Sequence, residues 1–406
     1  MKRSGFLIGS LGGLAVVGSA DGLFAQALAR TPRPGFAGTD DRVLVIVNFQ
    51  GGNDGLNTIV PFADPAYYRY RPTLAVAPAD VLRIDDRIGF NPALRPLEAL
   101  YGRGKIAIVQ GVGYPDPVLS HFRGTEIWQT AAPDSFPSTG WLGRYLDAAG
   151  LPKEDLFNAV ALANVLPELL VSERVDVPAI QQLQGYGLAS DRSGAAREAF
   201  RAFVRDQRVP FSSPYLARVA EIEDHAQRGS EELPRLVAGY ATDAPYPATP
   251  LGRSLALAAQ IIGSKLGTRV LYVTLGSFDT HTTQRVTQDR LLADFANGMS
   301  AFYADLAAHG NDGRVLTMTF SEFGRRVEEN ASRGTDHGTA APVFLIGGGV
   351  AGGVYGEHPS LDDLAAGNLR FGTDFRRIYA TVIERWLGRS TTGIIAGSFP
   401  AIGALG

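Results

Sequence analysis

Val43-Leu44-Val45-Ile46-Val47-Asn48-Phe49, followed at once by Gln50-Gly51-Gly52-Asn53-Asp54-Gly55, is the stretch on which the fold turns. The first seven residues are almost all apolar, without alternation, and rich in β-branched side chains. A strand with one wet face alternates apolar and polar residues. A continuous run needs cover on both faces, as in a central strand of a helix-covered parallel sheet. The glycine-rich exit permits positive φ and exposes backbone N–H groups, which suits a tight strand-exit turn or an anion nest.

Runs of the same kind recur outward from this one, at Lys105–Val112, Arg269–Gly276, Val315–Phe320 and Val343–Ile346. Helical spacing fills the intervals, at Pro92–Tyr101, Phe122–Thr130, Leu251–Leu266, Gln288–Ala308 and Phe375–Leu387. Strands alternating with helices predict an α/β fold with a mostly parallel central sheet and helices on both faces. The stretch from about 151 to 246 is richer in charge and in helical spacing, with Ala159–Ala163 its only strand-like run. It reads as a helical insertion within one domain covering residues 40–406. Apolar residues make up 45% and charged residues 19% of the 406, a balance that supplies a core. The net charge of −3 offers no basic field for nucleic acid or anionic lipid. Cysteine is absent, which excludes disulfides, thiolate nucleophiles and cysteine-based zinc sites.

Lys2-Arg3 precedes an apolar run from Phe6 to about Ala20, and small residues follow at Ala25-Gln26-Ala27 and Ala27-Leu28-Ala29. Residues 1–29 therefore read as a cleavable signal peptide, too short in its apolar part for a comfortable span. Lys2-Arg3-Ser4-Gly5-Phe6-Leu7 resembles a twin-arginine signal loosely, and both the twin-arginine and the general route stay open. The mature chain is expected outside the cytoplasm, in the periplasm or beyond the cell, without a membrane span.

Ligands of open parallel sheets bind outside the carboxyl ends of the strands. Those ends carry Gln50 to Asn57, Gly113 to Phe122, Gly276-Ser-Phe-Asp-Thr-His281 and Ser321-Glu-Phe-Gly-Arg-Arg326, with Thr335-Asp-His-Gly338 beyond. Asp279 with His281, and Asp336 with His337, pair carboxylate oxygen with imidazole, a ligand set suited to zinc or similar divalent ions. The same residues could form an Asx-turn and a helix cap. Ser120 and His121 stand before a helix, where a hydroxyl meets the positive end of the helix dipole, although an ordinary serine cap occupies the same place. Glu322 with Arg325 and Arg326 could clamp an anion or form a structural ion pair. Asn53 and Asp54 lift the glycine turn above a plain exit loop. No G-x-S-x-G elbow or Walker loop is present. Gly347-Gly-Gly-Val-Ala-Gly352 matches a dinucleotide fingerprint but no helix pattern follows it.

Taken together, Gly51–Thr58, Gly113–Phe122, Phe278–His281, Phe320–Arg326 and Gly334–Pro342 resemble the bacterial DUF1501 family, whose function is unassigned. That family is similar, distantly, to the alkaline phosphatase–sulfatase superfamily. The resemblance implies Asp336 and His337 as ligands of one divalent ion, Asp279 and His281 as ligands of another, and Ser120 in the nucleophile's place. Departures from the superfamily pattern are Gln50 where its first strand ends in Asp, with Asp54 four residues later as a substitute, and a shortened Asp-x-His at 279–281. His358 is the one residue available as a last ligand. No C/S-x-P-x-R string occurs, which argues against a formylglycine sulfatase.

The resulting expectation is an exported metal-dependent hydrolase of phosphate or related esters, acting on a small molecule or a glycan. Asp54, Asp279, His281, Asp336 and His337 are its expected ligands. Ser120, His121 and Glu322 are the expected catalytic groups, and Asn53, Arg325 and Arg326 the expected substrate contacts. The alternative is a non-catalytic exported binding or surface-assembly protein that keeps the scaffold with a degenerate site.

Overall fold

The computed structural model describes residues 41–151, 155–181, 222, 225, 228–229 and 232–406. The expected signal peptide lies outside the described residues, as does much of the expected insertion. The central sheet consists of β1 (Val43–Phe49), β2 (Ile106–Gly113), β3 (Ala159–Leu162), β4 (Val270–Leu275), β5 (Val315–Phe320), β6 (Ala341–Gly347), β7 (Gly353–Tyr355) and β8 (Thr373–Asp374). Its order is β7-β2-β6-β5-β1-β4-β3, with β8 also pairing with β2. β1 lies between β4 and β5, parallel to both, with Asn48 opposite Thr274 on one side and Phe320 on the other. All seven residues of β1 are buried, as the unalternating run requires.

β6 alone runs against its neighbours β2 and β5. This reversal positions the site. The loop preceding β6, with Asp336 and His337, comes to the edge where β1, β2, β4 and β5 end, and the Gly347–Gly352 string is carried to the opposite edge. The failed dinucleotide motif is thus a turn far from the ligand-binding edge.

Odd-numbered residues of β1 (Val43, Val45, Val47, Phe49) pack against α3 (Pro250–Gly263) and α4 (Gln284–Ala308) through Leu255, Leu291 and Phe295. Leu44 and Ile46 face the other layer, where α1 (His121–Thr130), α2 (Trp141–Ala149) and α5 (Phe375–Thr381) contribute Trp128, Trp141 and Tyr379. Two helical layers about one mostly parallel sheet make this the expected α/β architecture. The strand-like run at Ala159–Leu162, inside the expected insertion, is a strand of the main sheet and pairs in parallel with β4. No helix among the described residues is long and apolar enough to cross a membrane.

Candidate functional site

Three side chains meet in a tight triangle at this edge. Asp279 Oδ1 lies 2.9 Å from His281 Nε2 and 3.2 Å from His337 Nε2, and the two Nε2 atoms are 3.1 Å apart. His121, the first residue of α1, closes the group with its Nε2 3.4 Å from Asp279 Oδ2. That Nε2 is buried and makes no hydrogen bond, so the 3.4 Å approach is a contact of charge with ring and nothing stronger. The backbone brings these loops unusually close. At Gly334 a Cβ would fall 2.2 Å from the carbonyl carbon of His281, and Gly51, at φ +116°, would put one 2.5 Å from the Asp279 nitrogen. Only glycine allows either approach.

Each histidine is pinned from behind. Nδ1 of His121 meets Glu322 Oε1 at 2.7 Å, Nδ1 of His281 meets Asp336 Oδ1 at 3.2 Å, and Nδ1 of His337 meets the Leu119 carbonyl at 2.8 Å. In the neutral ring an acceptor at Nδ1 favours the proton there and leaves the Nε2 lone pair free, the arrangement found behind metal-ligating histidines. In that tautomer the two Nε2 lone pairs, 3.1 Å apart, have no hydrogen to share between them. A cation placed between them removes that repulsion. Bonds of about 2.0–2.2 Å to one tetrahedral ion put its ligand atoms roughly 3.3 Å apart, close to the spacings in the triangle. His121, Asp279 and His337 also form a group whose ligand atoms all lie within 4.8 Å of one another. The residues present therefore fit a divalent ion.

Arg325 prepares the carboxylate. Its Nη2 donates to Asp279 Oδ1 at 2.7 Å from a fully buried position. Partial burial pushes the Asp279 carboxyl up, but the Arg325 hydrogen bond and charge lead the effects that override it and hold it at about 2. Asp336 is also held below its ordinary value, first by the His281 hydrogen bond, against the effect of burial, and further by Asn330 and the Arg326 charge. Phe323 supplies the apolar floor, its ring 4.9 Å from that of His121 and 4.5 Å from that of His337.

Several expected site residues stand elsewhere. Asp54 is buried in an ion pair with Arg71 Nη1 at 2.6 Å, also accepts from Gln284 Nε2, and caps the short helical turn Gly55–Asn57. A carboxylate so engaged has no oxygen to give an ion at the triangle, which corrects its expected role as a ligand. Asn53 is fully buried, its Oδ1 accepting from Thr58 Oγ1 and Gln288 Nε2, so it does not face a substrate. Arg325 is likewise sealed, which corrects its expected role as an anion contact, and Arg326 is exposed beside Asp336. Asp336 and Glu322 stand one step behind the triangle, orienting His281 and His121. Glu322, 1% exposed, also accepts from the Gly51 N–H at 2.9 Å and has no open path to a substrate proton. His358 is not in the group. Both its ring nitrogens are buried without a partner, and the charges that act on it are Arg87, Asp64 and Asp85.

A family model described as "Protein of unknown function (DUF1501)" matches residues 101–393, which include every member of this cluster. The chain belongs to the DUF1501 family. No curated protein matches it. Among solved structures, this DUF1501 protein is similar to Ps i-CgsB at 9% identity, covering 88% of this chain and 75% of that one, with a TM-score of 0.41. Also similar are a protein in the alkaline phosphatase superfamily from Vibrio parahaemolyticus (8%, 77% and 62%, 0.32) and the alkaline phosphatase of the Antarctic bacterium TAB5 (11%, 77% and 94%, 0.32).

In this DUF1501 protein the third histidine of the cluster is His121, where the sequence pointed to His358 as the further ligand. The signal for it was the Ser120-His121 pair at the end of β2, which a helix cap explained equally well. Ser120 makes no cap bond to its own helix, and its side chain is exposed between Leu119, which holds His337, and His121. Leu119 and Phe323 carry no chemical mark in the sequence and could not have been found there.

Proposed function

We propose that this protein is an exported metal-dependent hydrolase of phosphate or related esters. The observation that carries the proposal is the convergence of three histidine Nε2 atoms on Asp279, each ring held by an acceptor at Nδ1. Asp279, His281 and His337 would hold the ion. Such an ion polarises the ester oxygen and lowers the pKa of a bound hydroxyl or water. Export rests on residues 1–29 and the substrate on the chemistry of the cluster. A small phosphate ester and a glycan ester both remain within that class.

In this reading Ser120 attacks phosphorus from the start of α1, where the helix dipole favours its developing alkoxide. His121 Nε2 takes the hydroxyl proton, and the buried Glu322 carboxylate at Nδ1 stabilises the resulting imidazolium. The Ser120 Oγ–P bond forms, the bond from phosphorus to the alcohol oxygen breaks, and His121 returns its proton to the departing alcohol. Water attacks the phosphoserine in the second half, with His121 again as base. Exposed Arg326 contacts the anionic ester oxygens. The metal content of the purified mature chain, with its rates on phosphomonoesters and phosphodiesters, tests this. Metal-bound protein is expected, with turnover lost in both Ser120→Ala and His337→Ala. A metal-free protein with no metal-responsive activity overturns it.

The withdrawal of Asp54 into its pair with Arg71 favours a second reading, a binding or surface-assembly protein that has lost part of an ancestral site. Divalent ions would then leave thermal stability unchanged while a carbohydrate or protein partner raised it.

A further inference from the structure

We infer that Arg325 stands in for a second cation, so that the site takes one divalent ion and not two. The inference rests on the metal reading proposed above and concerns stoichiometry and the origin of the charge balance. Arg325 is 1% exposed. Its Nε donates to the Gly52 carbonyl at 2.8 Å and its Nη1 to the Thr335 carbonyl at 2.9 Å. Its Nη2 reaches the carbonyls of Gly51 and Phe278 and Asp279 Oδ1. Four carbonyl oxygens and one carboxylate oxygen turned inward are the oxygen-rich surroundings that a hard metal cation takes. Here the guanidinium fills them.

Its place makes the substitution matter. Paired ions in hydrolases sit about 3.5–4 Å apart and share a carboxylate. Asp279 is the one carboxylate of the triangle, and its Oδ1 already accepts from Arg325 at 2.7 Å. The other oxygen faces His121 Nε2 at 3.4 Å. The exit of β1 offers no second carboxylate, since Gln50 is neutral and Asp54 is held by Arg71. A fixed positive charge beside Asp279 opposes a second divalent ion while keeping the carboxylate ionised for the first. The Arg325 backbone also bridges that of His337.

The test is a Mn²⁺ titration of the metal-stripped full-length chain, with bound metal counted after desalting and electron paramagnetic resonance recorded on the product. One ion per chain with an uncoupled six-line signal is expected. Two ions, or an exchange-coupled signal, overturns the inference and leaves the proposed hydrolase standing. No bound ion overturns the metal reading itself. The variant Arg325→Gln removes the charge and keeps one N–H donor group of the five-bond set. If it melts cooperatively, it should bind Mn²⁺ at least about tenfold more tightly or take a second ion. Unchanged or weaker binding would mean that Arg325 is a clamp for the loops and not a substitute cation. Should the variant fail to fold, the wild-type ion count and coupling decide.

Discussion

Asp336 was expected to touch the ion, and its position one bond behind His281 changes what its loss should do. Removing a direct ligand abolishes binding, whereas removing the group that orients a ligand costs roughly 10–100-fold in metal affinity or activity. Asp336→Asn is therefore expected to weaken Mn²⁺ or Zn²⁺ binding by about that factor and to leave the ion count at saturation unchanged. Calorimetric titration of the variant beside His337→Ala, which should lose the ion outright, separates the two roles. His358 carries a different prediction. Burial holds its imidazole down at about 4, below the ordinary 6.5, with the Arg87 charge adding and Asp64 and Asp85 opposing. Between those values the unfolded chain binds a proton that the folded chain does not. Stability is thus fully present above pH 6.5 and falls as pH drops towards 4, by at most roughly 3 kcal/mol. Denaturant unfolding of His358→Gln at pH 4.5 and 7.5 should show a smaller difference between the two pH values than the parent shows. An equal difference would place the pH sensitivity elsewhere.

At the scale of elements, the turn after β1 is built on the buried pair of Asp54 and Arg71. Arg71 also donates to the Val327 and Arg326 carbonyls, which ties the β1 exit to the loop after β5. Breaking one half of a buried pair leaves an uncompensated charge and costs about 3–5 kcal/mol. Arg71→Met is expected to lose that much in a chemical denaturation series, and Asp54→Asn should lose less, since the amide still accepts from Arg71. Much of this architecture was legible. The run Val43–Phe49 had to be covered on both faces, and the helical spacing of Leu251–Leu266 matched α3 to within a few residues. The direction of β6 was not legible, because a run buried on both faces reads alike whichever way it points. Nor could the sequence say which carboxylates would face an ion. Asp54, Asp279 and Asp336 are the same residue type in similar glycine-rich loops. What separates them is a partner distant in sequence: Arg71 for Asp54, Arg325 for Asp279 and His281 for Asp336.

Across the whole molecule, four strand-end loops and the loop before β6 are held together by side chains without a covalent link, and no cysteine is available to provide one. An ion bound to Asp279, His281 and His337 would tie the loop after β4 to the loop before β6 and so resist unfolding. Ligand linkage gives about 2.7 kcal/mol at a hundredfold excess over the dissociation constant. The melting temperature should rise on adding Zn²⁺ or Mn²⁺, and the rise should vanish in His281→Ala. In the proposed site these three residues hold a divalent ion through one carboxylate oxygen and two Nε2 atoms. X-ray absorption at the zinc edge of the Zn²⁺-loaded chain tests it most directly. Nitrogen and oxygen neighbours at about 2.0–2.2 Å are expected, with outer-shell scattering from two imidazoles, and His337→Ala should show only the hydrated ion. A spectrum of fully hydrated zinc, or one that His337→Ala leaves unaltered, would contradict it.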